Sequence, residues 1–90
     1  MRGDYNIPGT SLKVEFDHTR DDYRGGHGLH CHVASNYGRV ASVSLETLTI
    51  KAGSLDGRDG RIAMEWIRDN ASTLRSDAEY WSENGSVWQA

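Results

Sequence analysis

Leu29-His30-Cys31-His32-Val33-Ala34-Ser35-Asn36-Tyr37-Gly38-Arg39-Val40-Ala41-Ser42-Val43-Ser44-Leu45-Glu46 is the stretch on which the fold turns. Leu29, Cys31 and Val33 alternate with His30 and His32, the period of a strand with one face buried. Asn36-Tyr37-Gly38 supplies turn chemistry. Arg39 to Glu46 then alternates again, with Ala41, Val43 and Leu45 sharing a face. A connection this short permits only an antiparallel pairing.

Working outward, Leu12, Val14 and Phe16 alternate with Lys13, Glu15 and Asp17, a third half-buried strand, with His18 at its end. Residues 1–10 read as an irregular lead-in. Between the first two strands, Thr19 to Gly28 is polar and glycine-rich, and reads as a long mobile loop of the kind that often carries function. On the other side the alternation changes parity at Leu48 and Ile50, which marks a bulge or a short further strand.

Beyond Gly53 to Gly60, with Asp56 or Asp59 as N-cap, the period becomes helical. Ala63, Ile67, Asn70 and Ala71, Leu74, Ala78 and Trp81 form one stripe at spacings of three and four. The pattern predicts a helix over 61–84, roughly 36 Å long at 1.5 Å per residue, with Gly85 as its cap and 85–90 as a tail. Breaks near Ser72-Thr73 or Ser76-Asp77 are the alternatives. The expected architecture is α+β: a single domain over 1–90, with a small antiparallel meander of three or four strands (11–50) packed on a long C-terminal helix as a two-layer sandwich.

Ninety residues suffice for one modest core. With 37% apolar and 26% charged residues, the composition is that of a globular chain rather than a disordered one. No apolar run approaches membrane-spanning length, and the N-terminal residues lack a signal-peptide core. Cys31 is the one cysteine, so no internal disulfide can form. Together these features predict a cytoplasmic protein with no membrane partner. The net charge of −3 argues against nucleic-acid binding by bulk electrostatics, although local phosphate contact stays open.

The residues most able to do chemistry are His27, His30 and His32. His30 and His32, two apart on a strand, emerge on the same face while Cys31 points away. Two such imidazoles can chelate a metal, exchange protons across a scissile bond, or donate to a phosphate. A hydrogen-bonded structural pair is the ordinary alternative. Asp17, His18 and Glu46 are candidate partners for orienting a ring. Arg20, Tyr23 and Arg24 could clamp an anion, or simply belong to a solvated loop. Trp66, Tyr80 and Trp81 fit core or helix-flank packing better than base stacking. Trp88 reads as folding back on the domain or touching a partner.

The run Leu29-His30-Cys31-His32-Val33, then Gly38, then Ala41-Ser42-Val43-Ser44-Leu45-Glu46, followed by Trp66-Ile67, Asn70, Leu74 and Trp81, resembles a family of small bacterial domains of unknown function. Their signature is Pro-His-x-His-Val, a glycine turn, a strand ending in Leu-Glu and a C-terminal helix ending near a Trp. The resemblance covers roughly residues 12–84. Here Gly28-Leu29 stands where that family usually has prolines. The resemblance implies the toxin of a toxin–antitoxin pair, with ribonuclease-like activity and an antitoxin or target protein as partner.

Three functions follow. The first is a metal-independent, RNA-cleaving toxin in which His30 and His32, with His27 nearby, share acid and base roles and no cofactor is needed. The second is a non-catalytic acidic protein, of bacterial or phage origin, that covers a basic partner. The third is a metal site built from His27, His30 and His32, or His18, which would need three or four ligands.

Overall fold

The computed structural model describes residues 4–24 and 27–86. Five strands, β1 (Tyr5–Asn6), β2 (Lys13–Glu15), β3 (His30–Ser35), β4 (Gly38–Ser44) and β5 (Ile50–Gly53), form one antiparallel sheet in chain order. Two helices follow, α1 (Gly57–Asp69) and α2 (Ala71–Asn84). The α+β class and the meander are therefore as expected, but the sheet has five strands rather than three or four.

The additional strand, β1, lies where the sequence pattern is weakest. β1 spans two residues of the expected irregular lead-in and pairs Tyr5 with Val14 and Asn6 with Lys13. Ile7, just after it, is 1% exposed and belongs to the core. Of the two expectations for the parity change after Leu45, the short further strand holds: Leu48 takes a left-handed backbone (φ 59°) in a turn, and Ile50–Gly53 returns along β4.

The single helix expected over 61–84 is two helices that meet at Asn70. At φ −110° and ψ 17°, Asn70 leaves the helical region, and its backbone N–H and side-chain amide both donate to the Trp66 carbonyl, at 3.0 and 2.8 Å. The amide thus adds a second donor to the carbonyl that accepts the last backbone bond of the first helix. The first helix also begins earlier than expected, after Asp56, whose side chain makes no cap bond.

The apolar stripe continues in phase across the break. Ala63, Ile67, Ala71, Leu74 and Ala78 are all buried. They share a core with Val14, Phe16, Cys31, Val33, Val43 and Leu45 from the sheet. Full burial of each Leu, Ile or Val contributes about 1.5–3 kcal/mol. Polar ties supplement this packing. Arg75 Nε on α2 donates to the Leu45 carbonyl at 2.6 Å, and the Tyr5 hydroxyl donates to the buried carboxylate of Asp77.

The polar loop after β2 contains a 3-10 helix, Arg20–Tyr23, which packs on α2. The segment after α2 is not a loose tail at its start: Ser86 bridges Thr19 in parallel, with Ser86 N donating to His18 O and Arg20 N to Ser86 O, both at 2.9 Å. Gly85 is chosen for space rather than for a left-handed cap, since its φ is −68° and a Cβ there would lie 2.6 Å from His18 O. Trp88 lies outside the described residues. Among the described residues, no helix is long and apolar enough to cross a membrane.

Candidate functional site

β3 is flanked on both sides, by β2 and β4. Its alternation sends Cys31 and Val33 into the core beneath the helices. His30 and His32 therefore share the opposite face, and the register places Glu15, His32, Ser42 and Ala52 side by side across four strands.

Asp17, just beyond β2, is the point on which this face converges. Its Oδ2 lies 2.9 Å from His30 Nε2 and 2.8 Å from His32 Nε2. Its Oδ1 accepts from Arg39 Nη1 at 2.9 Å. Arg39 also donates from Nε to Glu15 Oε1 at 3.1 Å, and Lys13 Nζ lies 3.3 Å from Glu15 Oε2. Burial by itself would push the Asp17 carboxyl upward; hydrogen bonds from His30, His32 and Arg39 outweigh it and hold the group well below the usual carboxylate range. For Glu15 the leading cause is the Arg39 hydrogen bond, which also lowers its pKa.

The two imidazoles are not equivalent. His30 is 6% exposed. Its ring stacks on that of Tyr23, with centroids 4.8 Å apart and planes 28° from parallel. Its Nδ1 sits 3.0 Å from the Gly28 carbonyl. A carbonyl only accepts, so Nδ1 carries a proton. Gly28 takes a positive φ of 70°, a conformation that glycine adopts without strain and proline cannot reach. Glycine at this position thus permits the turn that aims its carbonyl at His30. His32 is less enclosed. It lines a shallow groove of about 260 Å³ with Arg39, Val40, Ala41, Ser42, Ala52 and Gly53.

The remaining sequence candidates are dispersed. His27 is exposed on the loop and lies outside the Asp17, His30 and His32 cluster. His18 stacks on Trp81, with centroids 4.0 Å apart. Glu46 accepts from Leu29 N at 3.2 Å rather than from a ring. Tyr23 is buried, and its hydroxyl donates to the Asp17 carbonyl at 2.6 Å. Arg24 is exposed and donates to Ser82 O at 3.3 Å. The Arg20 side chain lies partly buried beside α2. The expected anion clamp of Arg20, Tyr23 and Arg24 is thus divided between core and surface. Cys31 is fully buried, and burial pushes its thiol up to about 12.

Arg39 is the site residue that sequence reasoning missed. Its place follows from a bulge between Val33 and Ala34, which pairs Arg39 with Ala34. From there it reaches Asp17 and Glu15. No local pattern in the sequence encodes that offset.

The cluster can exchange protons, bind an anion through Arg39, or supply two nitrogens and one oxygen to a metal ion. No curated protein and no solved structure matches the chain. Residues 20–77 match a family model described as "Domain of unknown function (DUF4160)". That match includes β3, β4, β5, α1 and the first half of α2, and leaves Asp17 just outside its boundary. With well over half of its length matched, the chain belongs to the DUF4160 family.

Proposed function

We propose that this chain is a toxin-like protein of a bacterial toxin–antitoxin pair that cleaves RNA, with His32 as its acid–base group. The observation that carries the reading is the Asp17–His32 dyad at the edge of an open groove that also contains Arg39. A carboxylate that fixes one nitrogen of an imidazole orients the other toward a substrate. With Nε2 held by Asp17, Nδ1 is the nitrogen available for chemistry. It takes the proton of an RNA 2′-hydroxyl, O2′ bonds to phosphorus, and the 5′-oxygen leaves with the same proton returned by His32. Arg39 uses two of its nitrogens on Glu15 and Asp17, and its third serves the phosphate. Buried His30 then has a positioning role rather than an equal share in acid–base work.

Induced expression in a bacterial host, paired with cleavage of an RNA oligonucleotide and its 2′-deoxy analogue, tests this reading. The wild type should arrest growth and cut only the RNA, and His32→Ala should do neither while keeping its circular dichroism spectrum. Undiminished toxicity and cleavage in a folded His32→Ala variant would refute it.

A second reading, a non-catalytic interaction protein, is favoured by the 99% exposed Tyr37 at the β3–β4 turn, with Val40 and Ile50 also exposed. In that case His32→Ala retains the growth effect, and Tyr37→Ser loses it.

A further inference from the structure

We propose that Asp17, His30 and His32 form a binding site for one divalent transition-metal ion, with Zn²⁺ as the best-suited occupant. Each residue offers one ligand atom, and the three atoms lie within 4.8 Å of one another.

A neutral imidazole carries one N–H. In His30 that hydrogen is committed at Nδ1 to the Gly28 carbonyl. The other ring nitrogen, Nε2, lies 2.9 Å from an Asp17 oxygen: it donates there when the ring carries a second proton, as in the hydrogen bond described above, and offers a lone pair when the ring is neutral. Two acceptors do not sit at that distance without a positive centre between them, which must be an additional proton or a metal ion. His32 brings its own Nε2 to the same oxygen at 2.8 Å, so two ring nitrogens and one carboxylate oxygen form a compact set.

The surroundings match what holds metal ligands elsewhere. A ligating histidine usually donates its other ring N–H to a backbone carbonyl or carboxylate, and a ligating carboxylate is itself hydrogen-bonded. His30 does the first through Gly28, and Asp17 does the second through Arg39. The Tyr23 ring stacked on His30 fixes its plane. The charge of Arg39 opposes a cation, but Glu15 at 3.1 Å offsets it.

Imidazole and carboxylate ligands bind Zn²⁺ at roughly 2.0–2.2 Å in a tetrahedron, so neighbouring ligand atoms stand about 3.3 Å apart. The two oxygen–nitrogen contacts would open by about half an ångström, and the two ring nitrogens, now within 4.8 Å of each other, would draw in toward that same spacing. Two nitrogens and one oxygen suit zinc or a neighbouring first-row ion, whereas calcium and magnesium prefer oxygen alone. Three protein ligands leave a coordination position open, and the groove beside His32 gives water access to it.

This inference stands apart from the RNA reading, because binding is measured whether or not the chain cleaves anything. If both hold, the ion withdraws electron density from the His32 ring, and Zn²⁺ inhibits cleavage. The test uses full-length chain without a histidine tag, stripped by a chelator and titrated with Zn²⁺ by calorimetry and with Co²⁺ by visible absorption. One ion should bind per chain, with ligand-field bands of a four- or five-coordinate site. His32→Gln should weaken binding at least about tenfold, as should Asp17→Asn where circular dichroism shows it folded. His18→Gln and His27→Gln should bind as the wild type does. No single-site isotherm, or binding lost in His27→Gln and kept in His32→Gln, would overturn the proposal.

Discussion

The hydroxyl of Tyr5 on β1 donates to the carboxylate of Asp77 on α2, joining elements 72 residues apart in the chain. Burial, followed by the hydrogen bond and charge of Asp77, pushes the Tyr5 phenol up to about 12. Asp77 is 6% exposed, so losing this donor leaves a buried acceptor short of a partner. Tyr5→Phe should destabilise the fold by about 1–3 kcal/mol. A double-mutant cycle with Asp77→Asn, followed by urea unfolding, should show a coupling energy clearly different from zero.

Acid should unfold the protein through Asp17. A carboxyl whose native pKa lies below its unfolded value takes up its proton more readily once unfolded. Its stabilisation is therefore full above about pH 4 and declines as pH falls below that, through the depressed native value. Urea midpoints measured between about pH 6 and pH 2 should fall for the wild type. Asp17→Asn should be less stable at neutral pH and should show a shallower acid limb. Equal slopes for both proteins would count against Asp17 as the main acid sensor.

Cys31 should be inert in the folded protein. It is fully buried, and its raised pKa keeps the reactive thiolate scarce at neutral pH. A chromogenic disulfide reagent should react only at the rate of unfolding and should accelerate in denaturant to the rate of a free thiol. Fast labelling under native conditions would contradict the packing described for β3.

Gly85→Ala tests close packing at the end of α2. The added methyl would lie 2.6 Å from His18 O and 2.7 Å from Trp81 O. Both are backbone atoms, so the chain itself must shift, and overpacking of this kind costs about 1–3 kcal/mol. A thermal midpoint unchanged from the wild type would show that the 18–20 segment yields freely.

The sequence pattern resolved faces better than it resolved breaks. Alternation through Cys31 and Val33 placed those side chains in the core and His30 and His32 opposite them, because strand period leaves no choice once one face is apolar. The helical stripe identified Ala63, Ile67, Leu74 and Ala78 as core for the same reason. It concealed the break at Asn70, because the periodicity continues in phase on both sides. β1 was illegible because two residues cannot display a period. Asp17 was visible as a polar neighbour on the correct face, whereas Arg39 depends on a bulge and Tyr23 on how a loop folds back. These are tertiary outcomes, with no signature in local spacing.

The bridge between Ser86 and Thr19 has a mechanical consequence. It stitches the far end of α2 to the residues directly after Asp17, so strain applied at one is delivered to the other. A bulky fusion close behind Ser86, or a partner gripping that end of α2, would act as a lever on the carboxylate that holds both imidazoles.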